Sequence, residues 1–274
     1  MTFVEVTRIW TSGRPETTVQ KYVKHAEDWN EKALEMFKVE LLSLHVPQVE
    51  GLLRATSRGL SPRTQSNRLW ILKGFYRCAV SLGIRPDNPT SQLRPPRFED
   101  KLAERLIRHE EVVAIAEAAT FERDRLLIEL LYGAGLRISE ALALSRKDLL
   151  GSGKIKVFGK GQKTAYVRIR PELEQKLLTF APAEGPVFPG LYAGKPLSRK
   201  TAWLIIRRLA VKAGFPKVSP HWFRHAHATE ALRRGASLPL VQASLRHSSV
   251  TTTMKYSHVI DGDGASLYLP SIGD

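Results

Sequence analysis

Along the first hundred residues, apolar side chains recur at the spacing of helices with one buried face. The clearest stripe is Leu72, Phe75, Tyr76 and Ala79, an i, i+3, i+4, i+7 series that predicts a helix opening at Ser61-Pro62 and stopping at Gly83. Serine can cap the free amides of a first turn. Proline suits the first helical position because it has no amide to leave unpaired, and glycine accepts the backbone turn that ends a helix. The same signals predict a helix from a Thr17 or Thr18 cap to about Phe37, and another from about Pro47 to Ser57. These elements define a small helical bundle.

The pattern changes after the turn signal at Asp87 to Pro89. Paired prolines at 95 and 96 disfavour helix and keep the chain extended, so a domain boundary is expected near residue 100, separating 1–100 from 101–274. Beyond it, helices are expected at 109 to 119, 121 to 133, 138 to 145, 171 to 180, 199 to 213, 221 to 234, 238 to 245 and 250 to 256. The segments KIKVF and TAYVRI alternate or are β-branched and flank GKGQK, which predicts two strands around a glycine-rich turn. The expected fold class is mainly α: a helical N-terminal domain, then an α+β domain with one small β-sheet.

Charge narrows the choice of partner. The 274-residue chain carries a net +15, of which +4 falls in residues 1–100 and +11 in the remainder. Lysine and arginine that neutralise phosphates release condensed counterions, so this balance favours a nucleic acid. No window approaches the roughly 20 apolar residues that span a bilayer, and MTFVEVTRIW lacks a basic segment followed by a long apolar one. The single cysteine, Cys78, has no partner for an internal disulfide and is read as a small core residue. A reducing compartment, the cytoplasm, is expected.

Basic residues are placed where DNA could meet them. Arg63, Arg68 and Lys73 lie outside the apolar stripe of the third helix. Between Lys195 and Arg234 there are ten basic residues and one acidic, Glu230. A helix from about Arg199 to Ala213 carries Arg199, Lys200, Arg207 and Arg208, with Trp203, Leu204, Ile206 and Leu209 expected as its apolar anchors. Phosphate contacts by such side chains set position on a duplex, while base edges carry sequence information.

Six dispersed residues supply what attack on a phosphodiester needs: Arg137 in YGAGLRISE, Lys160 in VFGKGQK, His221 and Arg224 in PHWFRHAH, His247 in LRHSS and Tyr256 in MKYSH. The non-bridging oxygens gain charge in the transition state, and a guanidinium offers two parallel hydrogen bonds to them, so Arg137 and Arg224 form a natural clamp. A tyrosine phenol is mostly protonated at neutral pH and requires cations or a base to become a nucleophile. His221 is the candidate base for Tyr256, and Lys160 the candidate acid for the departing 5′ oxygen, with His247 donating to the phosphate. A zinc site at His221 and His225, which share a helical face, would need an H-E-x-x-H pattern or a cysteine ligand, and neither is present. GKGQKT lacks the leading glycine of a P-loop, and no acidic cluster suggests magnesium, so no cofactor and no metal is expected.

These motifs, in this order, resemble the tyrosine recombinases of the phage integrase family, and among them the Xer-type or small integrase-like members. The resemblance covers most of the chain. It implies a helical, SAM-like core-binding domain, a catalytic domain, and strand exchange through a 3′-phosphotyrosyl bond by a homotetramer on two duplexes bearing a specific site. It favours Lys160 over Lys163 and implies that Glu140 orients Arg137. It also implies docking of the 18 residues after Tyr256 on a neighbouring subunit. One departure stands out: Arg246 replaces the glycine of the family's LGHSS, where positive φ would strain any other residue. The rival readings are a type IB topoisomerase-like nicking and sealing enzyme, and an architectural DNA-binding protein that does not cleave.

Overall fold

The computed structural model describes residues 2–97, 106–158, 164–192 and 194–246. The chain divides into two compact units, Met1–Asp100 and Lys101–Asp274.

Among its described residues the first unit has four helices, α1 (Phe3–Thr11), α2 (Glu16–Phe37), α3 (Val46–Ser57) and α4 (Pro62–Ser81), with a short 3-10 turn at Leu41–Ser43. The opening of α4 follows the expected chemistry: the Ser61 hydroxyl accepts from the Thr64 amide at 3.3 Å, and Pro62 begins the helix. It closes with Gly83 at φ +70, which lets the Ile84 amide reach back to the Ala79 carbonyl at 3.0 Å. The core joins Val6 and Trp10 of α1, Trp29 of α2, Leu52 of α3 and the stripe Leu72, Phe75, Tyr76 and Ala79 of α4. Trp10 stacks on Tyr22 and meets Phe75 edge-on. Cys78 packs against this core, and burial pushes its thiol pKa up.

Two sequence expectations are corrected here. Helix α2 is capped by Pro15, whose carbonyl accepts from Thr18 and Val19, so Thr17 and Thr18 lie inside the helix. Proline holds φ at −56 and needs no amide partner, which starts the helix without a side-chain cap. Helix α1 was not anticipated. Its signal is a capping box in which the Thr2 hydroxyl accepts from the Glu5 amide while the Glu5 carboxylate accepts from the Thr2 amide at 2.7 Å.

The second unit is mainly helical: α5 (His109–Glu117), α6 (Glu122–Gly133), α7 (Ile138–Leu142), α8 (Pro171–Phe180), α9 (Arg199–Lys212), α10 (Pro220–Arg233) and α11 (Leu238–Leu245). Strands β1 (Lys154–Phe158) and β2 (Thr164–Arg168) pair antiparallel, with Ile155 opposite Val167 and Val157 opposite Ala165. Ile155, Val157 and Val167 face the core, as the alternation of KIKVF predicts. Helix α6 lies at the centre, packed by α5, α8 and α10. The helix expected over 138 to 145 ends at Leu142, because Ser145 and Asp148 form a capping box that starts a new 3-10 turn at Arg146–Asp148. The expected helix over 250 to 256 lies outside the described residues.

Candidate active site

Arg137 caps the short helix α7. The chain enters this turn through Gly135, which has φ +59 and no room for a side chain: a Cβ would sit 2.8 Å from His227 and 2.9 Å from Leu245. Glycine is required there on both counts. The carboxylate of Glu140, one turn on, accepts from the Arg137 amide at 2.9 Å and from its guanidinium at 2.7 Å. Glu140 is 5% exposed, whereas the Arg137 side chain keeps 40% of its surface open. The carboxylate therefore fixes the root and one edge of the guanidinium and leaves the remainder facing outward. Burial works against the charge on Glu140, but the Arg137 amide, the Arg246 charge and the Arg137 guanidinium outweigh it and hold the pKa below the ordinary carboxylate value.

Helix α10 brings His221 and Arg224 to the same place. Arg224 is 5% exposed and donates to the Gly135 carbonyl at 2.5 Å and to the Leu245 carbonyl. It thus ties the turn before Arg137 to the last turn of α11. The His221 imidazole keeps an exposed edge, yet its pKa is lowered by partial desolvation and then by the charges of Arg199, Arg224 and Arg137. A neutral ring near neutral pH can accept a proton. His227, one turn further along, supports the site from below: its Nδ1 donates to the Tyr132 carbonyl at 2.7 Å, and burial lowers its pKa. Among the described residues, no group of three or more His, Cys, Asp or Glu side chains could hold a metal ion.

Sequence reasoning brought out Arg246 only as a departure, and the structure gives it a place. It caps α11 in the left-handed region at φ 55, ψ 42, a conformation that costs a non-glycine residue about 1–2 kcal/mol. Its guanidinium donates to Glu140 at 2.6 Å and to the Ser244 carbonyl at 3.2 Å. Glu140 is therefore shared by two arginines, Arg137 and Arg246. Lys160, His247 and Tyr256 lie outside the described residues.

The residues expected to meet DNA differ in their surroundings. Arg208 pairs with the buried Asp124 at 3.7 Å. Arg68 lies over the Trp29 ring at 5.6 Å, and Lys73 over Trp70, also donating to the Ser91 carbonyl at 3.2 Å. Arg63, Arg199 and Lys200 are exposed and Arg207 is half-buried. In α9 the buried stripe is Ala202, Ile205, Ile206, Leu209 and Ala210, while Trp203 and Leu204 are exposed. This corrects the expected anchors. The 3.6-residue period that buries Ile206 and Leu209 turns Trp203 and Leu204 to the face that carries Lys200, Arg207 and Arg199.

The fold and these motifs define a member of the phage integrase family, to which the chain belongs: the family's model matches residues 105–262. Among curated relatives, a tyrosine recombinase XerD of Staphylococcus saprophyticus subsp. saprophyticus is 30% identical, over 93% of this chain and 92% of its own length. Among solved structures, the XerH site-specific recombinase bound to its difH substrate shares the fold at a TM-score of 0.73, with 20% identity, covering 98% of this chain and 85% of the other. A lambda integrase tetramer bound to a Holliday junction matches at a TM-score of 0.76 with 17% identity, covering 93% of this chain and 76% of the other.

Proposed function

We infer that this protein is a site-specific tyrosine recombinase that cuts and rejoins duplex DNA through a 3′-phosphotyrosyl intermediate. The observation that carries the reading is the convergence of Arg137, Arg224 and His221 from two separate helix starts, with Glu140 holding Arg137. Arg137 and Arg224 take the scissile phosphate between them and stabilise the charge that develops on its oxygens. The Tyr256 oxygen attacks phosphorus and gives up its proton to His221, the bond to the 5′ oxygen breaks, and Lys160 supplies that oxygen's proton. His247 donates a hydrogen bond to the phosphate. The phosphotyrosyl bond conserves the energy of the broken linkage, so a 5′ hydroxyl from a partner strand can reverse the reaction and exchange strands.

The basic surface supplies the DNA partner. Arg199, Lys200 and Arg207 of α9 provide phosphate contacts around an exposed Trp203, and Arg63, Arg68 and Lys73 do so on the first unit, with Arg208 dividing its charge between DNA and Asp124. The first unit is the core-binding domain and the second the catalytic domain. Four copies assemble on two duplexes, a reading supported by a lambda integrase of the same fold solved as a tetramer bound to a Holliday junction. Among the described residues no helix is long and apolar enough to cross a membrane, and a lone cysteine suits a cytoplasmic protein that works on DNA. The topoisomerase-like and purely architectural readings leave the similarity to XerD along nearly the whole chain without a purpose.

The test uses a duplex carrying the protein's site, with a nick that lets the short 5′-hydroxyl fragment diffuse away. Denaturing gels should then show protein covalently bound to DNA, with a second duplex converting part of it to recombinant strands. The adduct should form equally in EDTA, since the arginines and Lys160 supply the positive charge. No adduct on a site the protein demonstrably binds would contradict the reading.

A further inference from the structure

Arg246 occupies a position whose backbone suits glycine, yet it carries a long charged side chain that is only 14% exposed and turned inward. A strained backbone is retained only where the surroundings hold it, which directs attention to what the side chain does. Its Nη2 donates to Glu140 at 2.6 Å, using the same carboxylate oxygen that accepts from the Arg137 amide. Its neighbour Leu245 offers a carbonyl to Arg224. The final turn of α11 is thereby pinned twice, once to each half of the proposed phosphate clamp. The next residue in the chain is His247.

We propose that Arg246 is a positioning residue of the active site: through Glu140 it fixes the Arg137 guanidinium, and it locks that guanidinium to the chain segment that leads into His247. This rests on the recombinase reading and adds to it a residue that the LGHSS motif does not contain. Arg137 alone, through its amide and its guanidinium, ties Glu140 only within one turn. The bond from Arg246, on a different element, fixes that turn against the end of α11 and presents Arg137 in one orientation, so the ordering is present before the phosphate arrives.

The proposal separates rate from stability. Arg246→Gly relaxes the left-handed backbone while deleting the link to Glu140, so it should fold as well as wild type and bind its site with unchanged affinity. Single-turnover cleavage should nevertheless slow about 10- to 100-fold, the scale seen where the hydrogen-bond partners of metal-binding side chains are removed. Arg246→Lys, able to keep one hydrogen bond to Glu140, should recover part of the rate. In a Glu140→Gln background, Arg246→Gly should cost much less than in wild type, because the two losses share one contact.

A wild-type rate in Arg246→Gly would overturn the proposal, as would a slowed rate that is additive with Glu140→Gln. A second readout needs no chemistry: the guanidinium nitrogen signal of Arg137 in the intact free protein, assigned by its disappearance in Arg137→Lys. It should be sharp in wild type and in Arg246→Lys, and broadened by exchange in Arg246→Gly; an unchanged signal overturns the proposal. If wild type formed no adduct, the recombinase reading would fall, and the signal would still decide whether Arg246 orders Arg137.

Discussion

The first unit closes its core around Trp10, Trp29, Phe75 and Tyr76, whereas the second closes mainly around leucine, isoleucine and valine, with Phe188 and Phe223, and buries more charge among them. Buried hydroxyl residues of the first unit, Thr7, Thr11, Ser57, Ser66 and Thr90, carry no charge. Thr7 and Thr11 simply bond the carbonyls of Phe3 and Thr7 one turn back. The second unit buries Asp124, Glu140, Asp148, Glu174 and Arg224. Three of those carboxylates staple turns: Glu140 takes the Arg137 amide, Asp148 the Ser145 amide, and Glu174 the amides of Gly151 and Gly153.

The difference follows from element length. Helices α2 and α4, at 22 and 20 residues, satisfy most of their own amides. The second unit is broken into short pieces, such as the five-residue α7, whose ends leave donors that only a buried acceptor can meet. Short pieces are also what lets Arg137, His221 and Arg224 arrive from different directions at one place. The buried charges are the structural consequence of assembling the proposed phosphate site from turns, and they should make the second unit the more sensitive of the two to substitution and to acid.

Removing one buried carboxylate should have the largest effect. Glu174→Ala leaves the Gly151 and Gly153 amides unpaired and should lower the stability of the second unit by about 2–4 kcal/mol. Tyr76→Phe in the first unit removes one hydroxyl that donates to the Leu41 carbonyl at 2.6 Å and should cost about 1 kcal/mol. Hydrogen exchange resolved to peptides of each unit checks both; equal losses, or a loss in the wrong unit, would break the comparison.

Acid gives a finer test. In the second unit His221 and His227 have lowered pKa values, and in the first unit His25 does, chiefly through desolvation with a contribution from Arg68. A histidine whose folded pKa is depressed contributes stability that is complete above its ordinary value near 6.5 and is lost as pH falls below it, because the unfolded chain then binds the proton first. Glu140, also depressed, adds a loss at lower pH, below about 4. Protection should therefore fall in both units between pH 7 and 5.5, more in the second, and His227→Gln should flatten part of that slope. Protection that rises on acidification would contradict the sign.

Much of the fold was legible because its signals are local. Ser61-Pro62 and Gly83 mark α4, the alternation of KIKVF marks β1, and Pro171 opens α8 at its expected first residue. Helix α1 was missed although Thr2 and Glu5 spell a capping box and Val6 and Trp10 lie one turn apart on one face, a signal confined to nine residues at the start of the chain. What tertiary contact decides was not legible. The phase of α9, with Trp203 turned out and Ile205 turned in, depends on which face meets the core. The pairing of Arg208 with Asp124 spans 84 residues, and that of Arg246 with Glu140 spans 106. For the site, residue type and order placed Arg137, His221, Arg224 and Glu140, and the structure brings these four together. The positive φ expected at 246 is present, but its occupant's contact with Glu140 could not be foreseen from spacing.

The most direct measurement compares wild type with Tyr256→Phe on the nicked duplex. The substitution removes one oxygen and keeps the ring, so binding to the site should be unchanged. Wild type should yield a covalent adduct whose DNA-linked peptide contains Tyr256, and the variant should yield none. An adduct formed by Tyr256→Phe at the wild-type rate would contradict the account, since the nucleophile would then be another residue, with Tyr192 and Tyr268 the next to map.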